Sequence, residues 1–123
     1  MNYKTYFADT YALIEMIQGN KNYSKFLELD FVTSKYNLME LYYQFIREND
    51  SKKAQKNLIK FYKYNVKINI GNIKGGMRFK LKHKKEKLSY ADCIGWAKAK
   101  EMGIKFLTGD QKFEDKENVE FVK

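Results

Sequence analysis

The chain has no proline, one cysteine and one histidine among its 123 residues. Each scarcity excludes something. No proline-rich, repetitive or low-complexity stretch marks a linker, so a single continuous domain spanning 1–123 is expected. Cys93 cannot form an internal disulfide on its own, which fits a reducing cytoplasm, and beside Ile94 it reads as a small core residue. His83 lies inside Lys82-His83-Lys84-Lys85, the setting of a surface group or phosphate contact rather than a general base. One histidine and one cysteine cannot build the nitrogen and sulfur cage that zinc prefers. Nor do they form a credible Ser-His-Asp or Cys-His arrangement. Gly71, Gly75 and Gly76 match neither the P-loop nor the dinucleotide fingerprint, which leaves nucleotide hydrolysis and dinucleotide binding without support. No apolar run approaches the roughly 18 residues that span a bilayer. The start, Met1-Asn2-Tyr3-Lys4, lacks the apolar core of a signal peptide.

What is present points to a folded, polyanion-facing protein. Hydrophobic residues make up 44% and aromatics 16%, enough for a real core in a single domain of this length. The net charge of +9 is unevenly placed. Residues 52–87 carry 13 basic side chains and one acid, Glu86, while the two flanking segments are each slightly acidic. A patch of this kind suits a polyanion, or else simply a solubilising surface.

Hydrophobic periodicity predicts alternating strands and helices. An extended run at 3–9 precedes a helix with Leu13, Ile14 and Ile17 inward and Gly19 as its stop. A helical piece at about 23–29 leads into a strand at 31–34. Two helices follow, with Leu38, Leu41, Tyr42 and Phe45 inward on the first and Leu58, Phe61 and Tyr62 on the second. The pattern then predicts a strand at 66–70 and a helix at 74–85 whose start Gly75-Gly76 weakens. A capped helix at 89–102 ends at Gly103, and strands at 105–108 and 119–122 flank a turn. This order implies an α/β fold: a three-layer α/β/α sandwich around a parallel sheet of about five short strands.

Four acids stand out against that frame. Asp9 ends the first strand and Asp110 follows the strand at 105–108. Asp92 and Glu40 are expected to open helices at the same edge of the sheet. Each has an ordinary use, as a helix cap for Asp9, a Ser89–Asp92 capping box, a turn residue for Asp110 and a solvated helix position for Glu40. Their joint placement favours ligation of Mg²⁺ or Mn²⁺, because helix N-termini favour ionised carboxylates and these hard cations prefer oxygen.

The motifs Phe7-Ala8-Asp9-Thr10, Asn37-Leu38-Met39-Glu40-Leu41, Leu88-Ser89-Tyr90-Ala91-Asp92 and Thr108-Gly109-Asp110-Gln111-Lys112-Phe113 occur in this order. With Asn118-Val119-Glu120-Phe121-Val122 at the end, the chain resembles a PIN domain, the nuclease fold of VapC-type toxins, over nearly its whole length. The resemblance implies that Asp9, Glu40, Asp92 and Asp110 are catalytic and hold Mg²⁺ or Mn²⁺. A metal-activated water would hydrolyse RNA to a 5′-phosphate and a 3′-hydroxyl. Thr108 and Thr10 are candidate supporting hydroxyls. Many family members carry a further acid where this chain has Lys112, so one metal is the safer expectation. The expected function is a metal-dependent endoribonuclease, the toxin of a type II toxin–antitoxin pair, with RNA as substrate. An antitoxin partner and a homodimer are implied by the resemblance alone.

Lys53, Lys56, Lys60, Arg78, Lys82 and Lys85 are the candidate RNA backbone contacts. The alternatives are a housekeeping RNA-processing PIN nuclease, a phosphoaspartate-type phosphatase or receiver domain with Asp9 as nucleophile, and a non-catalytic RNA-binding module. Tyr11 stands where such a phosphatase normally has a second aspartate, and all four acids are present, which speaks against a decayed site.

Overall fold

Strand β1, Thr5–Ala8, runs through the middle of the molecule in a computed structural model that describes residues 4–123. Tyr3, expected at the start of this strand, lies outside the described residues. After β1 come α1, Thr10–Gln18, a 3-10 turn at Lys21–Tyr23, α2, Ser24–Glu28, and β2, Asp30–Val32. The long helices α3, Lys35–Arg47, and α4, Ser51–Tyr62, follow, then α5, Ile70–Lys82, and α6, Tyr90–Met102. The chain closes with β3, Lys105–Thr108, and β4, Val119–Phe121.

Four parallel strands stand in the order β2-β1-β3-β4. Side-chain alternation sorts the core into two layers. Tyr6 and Ala8 of β1 and Leu107 of β3 pack with Leu13, Phe26, Leu38, Phe45 and Phe61 from α1 to α4. Phe7 and Phe106 face the other way, onto Phe79 of α5 and Cys93, Trp96 and Ala99 of α6. The sandwich therefore has the expected three layers, with one strand fewer than the sequence predicts.

The missing strand is the segment at 66–70. An isolated bridge, Thr33 to Asn65, falls just before it, with the Val66 amide donating to Thr33 O at 2.9 Å. Pairing stops there because Asn69 caps α5. Its side chain accepts from Asn72 N, and Asn72 Oδ1 accepts in turn from Asn69 N, both at 2.9 Å. That reciprocal box starts α5 at Ile70, four residues earlier than predicted, and places Gly75-Gly76 in the helix interior.

Gly76 has a packing role. A Cβ on Gly76 would come within 2.9 Å of the Cys93 carbonyl and the Ile94 backbone, so its absence lets α5 lie directly on α6. Helix caps complete the frame: Asp9 for α1, Ser34 for α3, Asp50 for α4 and Ser89 for α6, while α1 and α6 end at Gly19 and Gly103 in left-handed conformation. Among the described residues no helix is long and apolar enough to cross a membrane.

Candidate active site

The chain leaves β1 toward β2 on one side and later adds β3 on the other. The strand order therefore switches between β1 and β3, where an open parallel sheet leaves a crevice beyond its carboxyl ends. Asp9 directly follows β1 and Asp110 lies two residues beyond β3, so the two flank that crevice.

Asp9 is fully buried. Its Oδ1 accepts from Ala12 N at 2.8 Å, while its buried Oδ2 has no hydrogen-bond partner among the described residues. Burial pushes the Asp9 carboxyl up to about 7, and the negative charges of Asp110 and Glu40 add to the rise. The Ala12 amide and the Thr108 hydroxyl oppose it, although Thr108 makes no well-formed hydrogen bond to this carboxylate. Asp92, also buried, sits in the first turn of α6. Burial again raises its pKa, followed by repulsion from Asp9, Glu40 and Asp110. Two buried acids thus resist ionisation, and repulsion within the quartet makes this worse. Among the described residues none of the four takes part in an ion pair.

Neutral groups hold the quartet together. Thr10 Oγ1 donates to Glu40 Oε1 at 2.8 Å. Asn37 is buried, and its amide nitrogen donates to Thr10 Oγ1 at 3.3 Å and to Asp92 Oδ1 at 3.4 Å. Its oxygen accepts from Ser34 Oγ at 2.7 Å. Asn37 thereby links β1's exit, α3 and α6. Thr108 Oγ1 accepts from Asp110 N at 3.0 Å, and Asp110 Oδ1 accepts from Lys112 N at 3.0 Å, which shapes the turn after β3. Gly109 is required in that turn, since a Cβ there would overlap the Tyr11 ring and the Val122 carbonyl.

Two local expectations change. Glu40 lies in the second turn of α3 rather than opening it, and reaches the crevice along the helix face. Ser89 Oγ accepts from Asp92 N at 3.1 Å, but the Asp92 carboxylate turns to Asn37 instead of closing a capping box. Glu40, Asp92, Asp110, Thr10 and Ser89 line one open groove of about 510 Å³, with Asp9 buried beside it. Among the described residues no three of these acids already form a ready coordination shell.

The PIN domain family model matches residues 6–119. The chain belongs to the PIN domain family. Solved structures share its fold over nearly the whole length. A toxin–antitoxin complex from Klebsiella pneumoniae is 19% identical, covers 93% of this chain and 94% of its own, and has a TM-score of 0.68. VapBC2 from Rickettsia felis, bound to a DNA fragment from its promoter, is 19% identical over 96% of this chain and 97% of its own, with a TM-score of 0.73. The Sarcin-Ricin loop cleaving toxin VapC20 of Mycobacterium tuberculosis is 14% identical over 85% and 91%, with a TM-score of 0.70. No curated protein matches the chain. Family membership leaves the phosphoaspartate alternative without support.

Within this PIN domain the basic candidates do not make one surface. Lys53, Lys56 and Lys60 line a groove on α4, in the layer of α1 and α3. Arg78 and Lys82 line another between α5 and α6, on the opposite face of the sheet, and Lys85 is exposed in the turn after α5. Neither groove shares a residue with the acidic one. His83 lies on the α5 side, 3.3 Å from Glu86, away from the four acids. Cys93 is buried, and burial raises its thiol to about 11, in keeping with a core residue. Lys112 directs its ammonium toward Lys87 O, so it supplies no oxygen to the crevice.

Two site residues were not predicted, Asn37 and Arg47. Asn37 carried a signal, because it shares the inward face of α3 with Leu41 and Phe45 at four-residue spacing, where a polar side chain needs a buried partner. Arg47 carried none, since its place at the groove depends on how α3 lies against α1.

Proposed function

We propose that this PIN domain is a divalent-metal-dependent ribonuclease and the toxin half of a toxin–antitoxin pair. The observation that carries the proposal is the Asp9 Oδ2 atom, buried and, among the described residues, without a hydrogen-bond partner, beside acids that form no ion pair there. An unpaired buried carboxylate costs several kcal/mol when ionised, and a hard divalent cation is the partner that offsets this. The donor set fits, because every candidate ligand is a carboxylate oxygen. Asp9, Glu40, Asp92 and Asp110 would hold the ion, drawing together around it. Such an ion supplies Lewis-acid activation of water and charge neutralisation at phosphorus. Lys112 leaves one metal better supported than two.

The protein's own groups do the positioning. Thr10 aims the Glu40 carboxylate, Asn37 aims Asp92, and Thr108 holds the Asp110 backbone. The groove stays open on one side, so a polymer can enter without an end. The name of the Sarcin-Ricin loop cleaving toxin supports RNA as the substrate class, and that of the toxin–antitoxin complex from Klebsiella pneumoniae supports an antitoxin as partner. An apolar groove of about 430 Å³ between α3 and α4, lined by Leu38, Met39, Tyr42, Ile46, Leu58 and Tyr62, offers that partner a surface. Tyr43 lines both grooves, so a protein docked there would also narrow the acidic one.

The test is cleavage of single-stranded RNA in Mn²⁺, with EDTA and Asp92→Asn as controls. Loss of cleavage in both is expected. Undiminished cleavage by folded Asp9→Asn or Asp92→Asn protein would overturn the mechanism.

A further inference from the structure

The acidic groove continues past the acids, between α1 and α3. On α1 it is lined by Tyr11, Ile14, Glu15 and Gln18, and on α3 by Glu40, Tyr43, Gln44 and Arg47. Both sets follow the spacing i, i+3, i+4, i+7, so each wall is one helix face running about 10 Å away from the acids. Arg47 is the only cation in this lining, and among the described residues it forms no ion pair. Its guanidinium carbon lies 5.6 Å from the centre of the Tyr43 ring, which is 60% exposed.

We propose that this groove is a track for single-stranded RNA, with Arg47 holding a backbone phosphate and Tyr43 stacking a base. The nature of the bond cut at its acidic end rests on the nuclease reading. The guanidinium matches a phosphate with paired donors, and it also stacks on aromatic faces. Arg47 and Tyr43 are therefore already arranged as a phosphate-and-base contact. An exposed aromatic ring serves an unstacked base, not one paired inside a duplex. The opposite wall favours the same path. Glu15 repels phosphate there and is engaged by Asn20 Nδ2 at 2.6 Å, so the strand's backbone follows α3. Tyr11, lodged against Gly109, keeps the acidic end of the wall in place. The larger lysine stripes of α4 and α5 line other grooves.

Binding separates this proposal from catalysis. The probe is a short fluorescent single-stranded RNA titrated with the full chain in EDTA and read by anisotropy at several salt concentrations. Arg47→Ala is expected to weaken binding about tenfold and to reduce the salt slope by about 0.7. Arg47→Lys keeps the slope but recovers only part of the affinity. Tyr43→Ala weakens binding roughly tenfold, whereas Tyr43→Phe does not. Lys105→Ala, a charge removed at the opposite edge of the sheet, leaves affinity unchanged. Any one of four results overturns the track: no binding by the unaltered chain, an unaltered salt slope in Arg47→Ala, a greater loss in Lys56→Ala/Lys60→Ala, or equal affinity for duplex RNA. Arg47-dependent binding without cleavage in Mn²⁺ would sustain the track and refute the nuclease reading. Cleavage with binding indifferent to Arg47 would do the reverse.

Discussion

Asp9 is fully buried, and its burial predicts an unusual pH response. With its folded pKa raised from 3.8 to about 7, the native state holds a proton there that the unfolded chain has already lost. The contribution to stability is complete below about 4 and is lost as pH rises through 7. Surface acids such as Glu101, lowered to about 2 by hydrogen bonds to Asn69 and Lys98, act in the opposite sense at lower pH. Urea midpoints of metal-free protein are therefore expected to fall between pH 5 and 7.5, and Asp9→Asn is expected to flatten that fall. A rising midpoint in unaltered protein over this range would contradict the burial argument. Asn37 yields a second prediction. Removing its amide leaves Asp92 Oδ1 without this donor and the Ser34 hydroxyl without its acceptor. Asn37→Ala should cost about 1–3 kcal/mol of stability, measured by urea denaturation. It should also weaken Mn²⁺ binding in calorimetry. Asn37 could be singled out in the sequence as part of a motif, but its role could not, because its partners lie on β1's exit and α6.

At the scale of elements, the contact between α5 and α6 decides what the glycines mean. From the sequence, Gly75-Gly76 reads as a weak helix start, and propensity alone supports nothing more. In the fold, the two positions differ. A Cβ on Gly76 meets the α6 backbone at 2.9 Å, whereas one on Gly75 meets only the Ala97 methyl at 3.5 Å, an ordinary contact. Gly76→Ala is expected to destabilise by about 1–3 kcal/mol through forced separation of the helices. Gly75→Ala is expected to stabilise by up to about 1 kcal/mol, since the helix gains an alanine at no steric cost. Thermal denaturation of the two variants side by side would test the difference in sign. The predicted strand at 66–70 failed for a related reason. Alternating Val66, Ile68 and Ile70 satisfied a strand pattern, but the Asn69–Asn72 box competes locally and wins at Ile70.

For the molecule as a whole, the site draws its acids from distant points of the chain. Asp9, Glu40, Asp92 and Asp110 come from β1's exit, α3, α6 and the turn after β3. A cation bound by all four would therefore act as a cross-link of the tertiary fold. At a hundredfold excess over its Kd, Mn²⁺ should add about 2.7 kcal/mol to stability at neutral pH. The thermal midpoint should rise accordingly, and Asp92→Asn should abolish the rise even if the variant retains its fold. The sequence made the layer order, the parallel sheet and the four acids legible without any packing, because strand and helix periods and caps are local properties of the chain. It also located the excess positive charge in residues 52–87. Where that charge goes depends on packing. Packing places α4 and α5 on opposite faces of the sheet, which splits the basic segment between two grooves, neither lined by the four acids. The same packing sets α3 against α1 and brings Arg47, among the described residues the one cation in its lining, to the groove. Which charges share a surface depends on how helices dock, and that is settled by buried contacts between residues far apart in sequence.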